Sequence, residues 1–234
     1  MLKVTASDRL IPLVRKGSRP SYVLLPGAGG GLAYYLRMAG FLGKTGNVYG
    51  IRASGLVAGE EPENRLSDMA DSALRTLDDA GIEPSLIVGW SMGGVIGWEV
   101  CQRLAERGVQ PALVLLDSSP FPFVGDAEFT DWLLGKIGGQ LGPSPDEGSA
   151  ARLKGVLLGQ LNALAENNVD RPYAGRVLLV TCAEPADARE QNLAAWRRLA
   201  PDLREHTVDV DHYSVAKPEN FAALSDPLAA FLAH

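Results

Sequence analysis

Cysteine and histidine are scarce in these 234 residues, two of the first and three of the second. His206, His212 and His234 have no ligand-like spacing, which argues against a structural zinc site, and no other metal is expected. Cys101 falls in an expected helix and Cys182 in an expected strand. They read as buried reduced thiols of a cytoplasmic protein, not as a disulfide. Basic runs are equally short, none longer than Arg197-Arg198, and the net charge is −6, so nucleic acid is not expected as a partner. No apolar run approaches the length of a membrane span, and Met1-Leu2-Lys3-Val4-Thr5 is not a secretory signal. What remains, 46% hydrophobic and 21% charged, is ordinary for a globular chain large enough for one α/β domain or two small ones.

The most informative stretch is Val88-Gly89-Trp90-Ser91-Met92-Gly93-Gly94, which contains Gly-x-Ser-x-Gly. A short apolar run, Ser85 to Val88, precedes it, and a helical segment, Val95 to Leu104, follows and stops at Gly108. Strand, sharp turn and helix are the setting in which this motif holds a strained, exposed serine nucleophile. An ordinary glycine-rich turn is the plainer reading of the same letters.

The rest of the chain supports that setting. Arg9 to Val14 suits an edge strand that tolerates Pro12. Buried strands are expected at Tyr22–Leu25, Asn47–Ala53, Pro111–Leu116, Arg176–Cys182 and Thr207–Val210, with helices over 32–42, 67–80, 188–199 and from about Pro218 to Leu232, the last bent by Pro227. Strands that are apolar throughout and alternate with helices imply a mostly parallel central sheet covered on both faces. The alternation stops over 118–172. Phe121, Phe123, Phe129, Trp132, Leu133 and Ile137 crowd its first half, and Leu153, Val156, Leu157, Leu161 and Leu164 recur at helical spacing in its second. Gly142 to Gly148 reads as a hinge between the two. The segment is either an apolar lid over the carboxyl edge of the sheet or a helical excursion that completes the core. As a lid it suits a large apolar acyl group.

A serine nucleophile needs a base, and the base needs an orienting acid. His234 is the terminal residue and His206 starts the last expected strand, the wrong end of the sheet. His212 leaves that strand on the same edge as Ser91. For the acid, Asp117 ends the strand after the elbow helix and is favoured. Asp187, with Glu184, follows the next strand and stands second; Asp211 adjoins His212 but faces away from it on extended backbone. Backbone N–H groups of Met92 and of Ala28, in the loop Pro26-Gly27-Ala28-Gly29-Gly30-Gly31, would form an oxyanion hole. Alone, that glycine run would read as a flexible turn.

Leu-Leu-Pro-Gly-Ala-Gly-Gly at 24–30, Val-Tyr-Gly-Ile-Arg-Ala-Ser-Gly-Leu at 48–56, Gly-Trp-Ser-Met-Gly-Gly at 89–94, Leu-Leu-Asp-Ser at 115–118 and Asp-His-Tyr-Ser-Val at 211–215 together resemble the thioesterase domains of nonribosomal peptide and polyketide synthases. The likeness spans nearly the whole chain and is weakest over 118–172. Trp90 and the Asp-Ser after the next strand look like the type I domains that end a synthetase; type II editing enzymes more often have His in the elbow and their acid one strand later. The resemblance implies one α/β-hydrolase domain over 1–234 with a lid at about 118–172. It implies Ser91 as acylated nucleophile, His212 as base, Asp117 as orienter, and Ala28 with Met92 as oxyanion donors. The implied partner is an acyl or peptidyl carrier protein whose phosphopantetheine bears the thioester, so that no cofactor belongs to the chain itself. Arg152 and Lys154 are candidates for meeting such an acidic carrier. The chain would act as a monomer or as part of a larger synthetase. A type II editing enzyme, a small-molecule carboxylesterase and a catalytically silent hydrolase-like binding protein are the competing expectations.

Overall fold

The computed structural model describes residues 9–138, 146–183 and 186–233. A seven-stranded sheet in the order β1-β3-β2-β4-β5-β6-β7 forms its centre. The strands are β1 (Leu10–Val14), β2 (Ser21–Leu25), β3 (Asn47–Ile51), β4 (Pro84–Trp90), β5 (Ala112–Leu116), β6 (Val177–Cys182) and β7 (Leu203–Val208). Every neighbouring pair is parallel except β1 with β3. Pro12 sits in β1, an edge strand where a missing donor is tolerated.

Alternate strand residues feed two separate cores, as the two-residue pleat requires. On one face Val23, Ile87, Leu113, Leu115, Val177 and Leu179 pack under α2 (Leu66–Asp79), α3 (Met92–Glu106) and α6 (Ala186–Leu199). On the other Leu24, Val48, Leu86, Val88, Val114, Leu116 and Val180 pack under α1 (Leu36–Leu42) and α7 (Phe221–Leu232). The mostly parallel, doubly covered sheet expected from the apolar runs is therefore the observed architecture.

Two readings need correction. The last strand was expected at Thr207–Val210 and apolar, but β7 is Leu203–Val208, and Arg204, Glu205, His206 and Thr207 are all exposed. It pairs only with β6, so its open side and outward faces meet water and no apolar run marks it. His206 accordingly lies inside that strand rather than at its start. The hinge expected at 142–148 overlaps a helix at its far end. Glu147 and Gly148 already belong to α5, whose N-cap Asp146 accepts from the Ser149 N–H; residues 142–145 lie outside the described residues.

No strand occurs between β5 and β6 among the described residues. Instead α4 (Ala127–Gly138) and α5 (Glu147–Ala165) form a third core from Leu133, Ile137, Leu153, Leu157 and Leu161. Ala28, Leu56 and Tyr213 pack against it, so the insertion sits on loops at the carboxyl edge of the sheet. No helix among the described residues is long and apolar enough to cross a membrane, and no group of metal-ligating side chains is present among them.

Candidate active site

Ser91 follows directly on β4 and precedes α3, with φ 53° and ψ −121°. Only a sharp reversal puts a residue there, and the flanking glycines make room for it. A Cβ on Gly89 would collide with the backbone of Gly93, and one on Gly93 with the carbonyl of Leu25. The Ser91 N–H donates to the Leu116 carbonyl at 2.8 Å, fixing the turn to the end of β5. Asp117 repeats the device one strand along. Its φ is +47°, and its N–H donates to the Val180 carbonyl at 2.7 Å.

His212 stands between them. Its Nε2 lies 3.1 Å from Ser91 Oγ and its Nδ1 2.7 Å from Asp117 Oδ2. The remaining Asp117 oxygen accepts the Cys182 N–H at 2.8 Å. Burial pushes the Asp117 carboxyl up, but the hydrogen bonds from His212 and Cys182 outweigh it and hold the group below the usual carboxylate range. Burial and the adjacent Asp117 charge push the Cys182 thiol up, so it stays a neutral thiol; Cys101 and Cys182 are both free and buried.

The structure thus brings together Ser91, His212 and Asp117. Asp211 does not join them: its carboxylate accepts from the Tyr213 N–H at 2.9 Å and the Ser214 hydroxyl at 2.6 Å, bracing the turn that carries His212. Glu184, the side chain of Asp187 and His234 lie outside the described residues.

Two backbone donors border the cavity that Ser91 lines. The Met92 N–H is the first of α3 and has no carbonyl one helical turn back to bond. In the glycine-rich loop the Gly30 N–H donates to Gly27 and the Gly29 N–H to the Gln160 side chain, whereas the Ala28 N–H has no acceptor among the described residues. Ala28 and Met92 both line the same cavity as Ser91. That cavity measures about 420 Å³; Val95, Phe121, Phe129, Leu133, Ile137 and Leu164 give it an apolar wall.

Three residues around this centre have contacts that the sequence reading did not assign to them. Trp90 Nε1 donates to the His212 carbonyl at 3.1 Å. Tyr213 stacks edge-on against both His212 and Trp132, at centroid distances of 4.8 and 4.7 Å. Gln160 is buried beneath α5. Nothing beside it in sequence singles it out, since Asn162, two residues on, is a second amide and is exposed. Of the two cationic candidates in the insertion, Arg152 is engaged with the Leu56 carbonyl and Ser149, and Lys154 is exposed.

The chain is similar to several known proteins. The thioesterase-domain family model matches residues 21–131. A dimodular nonribosomal peptide synthase of Bacillus subtilis is 26% identical over 97% of this chain, which spans 11% of that synthase's length. The Vlm2 thioesterase domain bound with a dodecadepsipeptide superposes with a TM-score of 0.79 at 21% identity, over 96% of this chain and 98% of its own. A covalent complex of the NocB thioesterase domain with a fluorophosphonate nocardicin G analog gives 0.78 at 21% identity, over 95% and 99%. The resemblance carried by the motifs therefore stands: residues 21–131 match the thioesterase-domain family, and nearly the whole chain has the fold of such domains.

Proposed function

We propose that the chain is a single-domain serine thioesterase that releases an acyl, peptidyl or polyketidyl group from the phosphopantetheine thioester of a carrier protein. The observation that carries this reading is the unbroken run Ser91 Oγ, His212 Nε2, His212 Nδ1, Asp117 Oδ2 at 3.1 and 2.7 Å, set in the wall of an apolar cavity.

In the proposed reaction His212 Nε2 takes the Ser91 hydroxyl proton as Oγ attacks the thioester carbonyl carbon. Asp117 holds the Nδ1–H tautomer and stabilises the imidazolium that forms. The N–H groups of Ala28 and Met92 receive the developing oxyanion. Collapse breaks the C–S bond, and the imidazolium returns its proton to the departing thiolate. Water, or an amine or hydroxyl of the acyl chain itself, then attacks the ester on Ser91. His212 accepts that nucleophile's proton and passes it to Oγ, giving a free acid or a ring. The α4–α5 insertion acts as the lid that covers the acyl group.

Two measurements test the proposal together. Intact-mass analysis after treatment with a fluorophosphonate should show one adduct, absent in Ser91→Ala. Synthetic acyl-pantetheine thioesters should be turned over by the wild type and not by that variant. Turnover of simple esters with none of thioesters would replace the thioesterase by a carboxylesterase, and no labelling at all would leave a binding protein.

A further inference from the structure

The turn Gly27-Ala28-Gly29-Gly30 is closed by the Gly30 N–H on the Gly27 carbonyl at 3.0 Å, with φ +88° at Gly29. A positive φ at the third residue marks a type II turn. Turns of types I and II keep the same closing bond and differ by a flip of the central peptide, here the one joining Ala28 to Gly29. Glycine at the third position permits both forms.

One side chain discriminates between them. Gln160 Oε1 accepts the Gly29 N–H at 2.7 Å, across 131 residues of sequence. The flipped peptide would aim the Ala28 carbonyl, a second acceptor, at that oxygen. Gln160 is 3% exposed, so water is a poor substitute partner. The α4 side of the insertion closes in as well, since a Cβ on Gly29 would lie 2.8 Å from Ile137 Cδ1. Ala28 itself packs in the insertion's core.

We infer that Gln160 is a positioning residue, through which the helical insertion fixes the loop that presents the Ala28 N–H to the acyl carbonyl. This rests on the proposed function, in which Ala28 is an oxyanion donor. Oxyanion stabilisation and seating of the insertion are then one event: a displaced α5 withdraws the acceptor from Gly29 and loosens the whole turn that aims the Ala28 N–H. Loss of a whole donor lowers turnover about 10²–10³-fold, and loss of its anchor lowers it less.

The test uses Gln160→Met, which keeps length and removes the acceptor, and Gln160→Glu, which keeps an acceptor. Gln160 also lines a small cavity with Arg9, Arg52 and Glu63, in which both arginines already have carboxylate partners, so the Glu variant is checked for folding by thermal unfolding before its kinetics are read. The substrate is the butyryl thioester of N-acetylcysteamine, too short to draw much binding from the insertion. Gln160→Met should lower kcat about 10- to 100-fold with KM within twofold, and should slow fluorophosphonate labelling in parallel. Gln160→Glu should recover kcat to within about fivefold of wild type. The inference is overturned if Gln160→Met keeps kcat within twofold, or if both variants lose equally. Should Ser91→Ala retain turnover, the proposed function fails instead, whatever the Gln160 variants do.

Discussion

Trp90 and His212 are joined by a hydrogen bond from the indole Nε1 to the histidine's own backbone carbonyl, so the residue before Ser91 holds the loop that carries its neighbour. Their rings lie 5.9 Å apart, and Gly27 leaves the space that the indole occupies. Trp90→Phe keeps a ring and deletes the donor. It should cost about 1 kcal/mol of stability and lower kcat about 5- to 10-fold. Thermal unfolding and steady-state kinetics read the two effects; an unchanged kcat would mean that the loop holds without the indole.

Asp117 adopts a left-handed backbone, which Asn tolerates better than most residues, so Asp117→Asn isolates the charge. Turnover should fall roughly 10⁴-fold, as for orienting acids of this kind, while Asp187→Asn leaves it within a few-fold. The reverse result would move the acid to the next strand. Stability should follow pH as well. Because the folded-state carboxyl is held low, its contribution is complete above the unfolded value of about 4 and fades as the pH falls through the folded one. The Tm advantage of wild type over Asp117→Asn should therefore be in place at about pH 5 and shrink below about pH 4.

The elbow glycines should differ in severity. A Cβ on Gly93 meets the rigid carbonyls of Leu25 and Pro26, whereas one on Gly94 meets only side chains, the Ser118 hydroxyl, which can rotate, and the Ser118 Cβ at 2.8 Å, which must shift with its residue. Gly93→Ala should destabilise by about 3 kcal/mol or more and Gly94→Ala by about 1 kcal/mol. Chemical denaturation of both variants checks the ranking.

Among the described residues the cavity wall bears no cation, and its one carboxylate, Asp117, is taken by His212. An acyl group with a charge near its carbonyl would lose water there and gain no partner. In a series of pantetheine thioesters, phenylpropionyl and octanoyl groups should exceed succinyl and glycyl groups by about 100-fold in kcat/KM. Equal rates would show that the acyl chain lies outside this cavity.

Apolar runs revealed the inner strands because parallel strands buried on both faces leave no room for polar residues. They failed at β7, where one side is open to water and Arg204, Glu205 and His206 are exposed. The site divides in the same way. Ser91 announces itself because the elbow demands glycines at fixed neighbours, Asp117 because it directly follows β5, and His212 because it lies in the turn beyond β7 at the same edge. Gln160 and Trp90 act through contacts 131 and 122 residues away in sequence, and no local pattern encodes a partner so distant.

Among the described residues Ser91 and Asp117 alone combine a side chain with a positive φ, and they end neighbouring strands. Such conformations cost on the order of 1–3 kcal/mol each, and the surrounding sheet must hold them in place. Durability and activity therefore compete at the same two positions. Ser91→Gly should melt at a higher temperature than the protein it disables, and selection for thermal resistance alone would erode this chain first at its reaction centre.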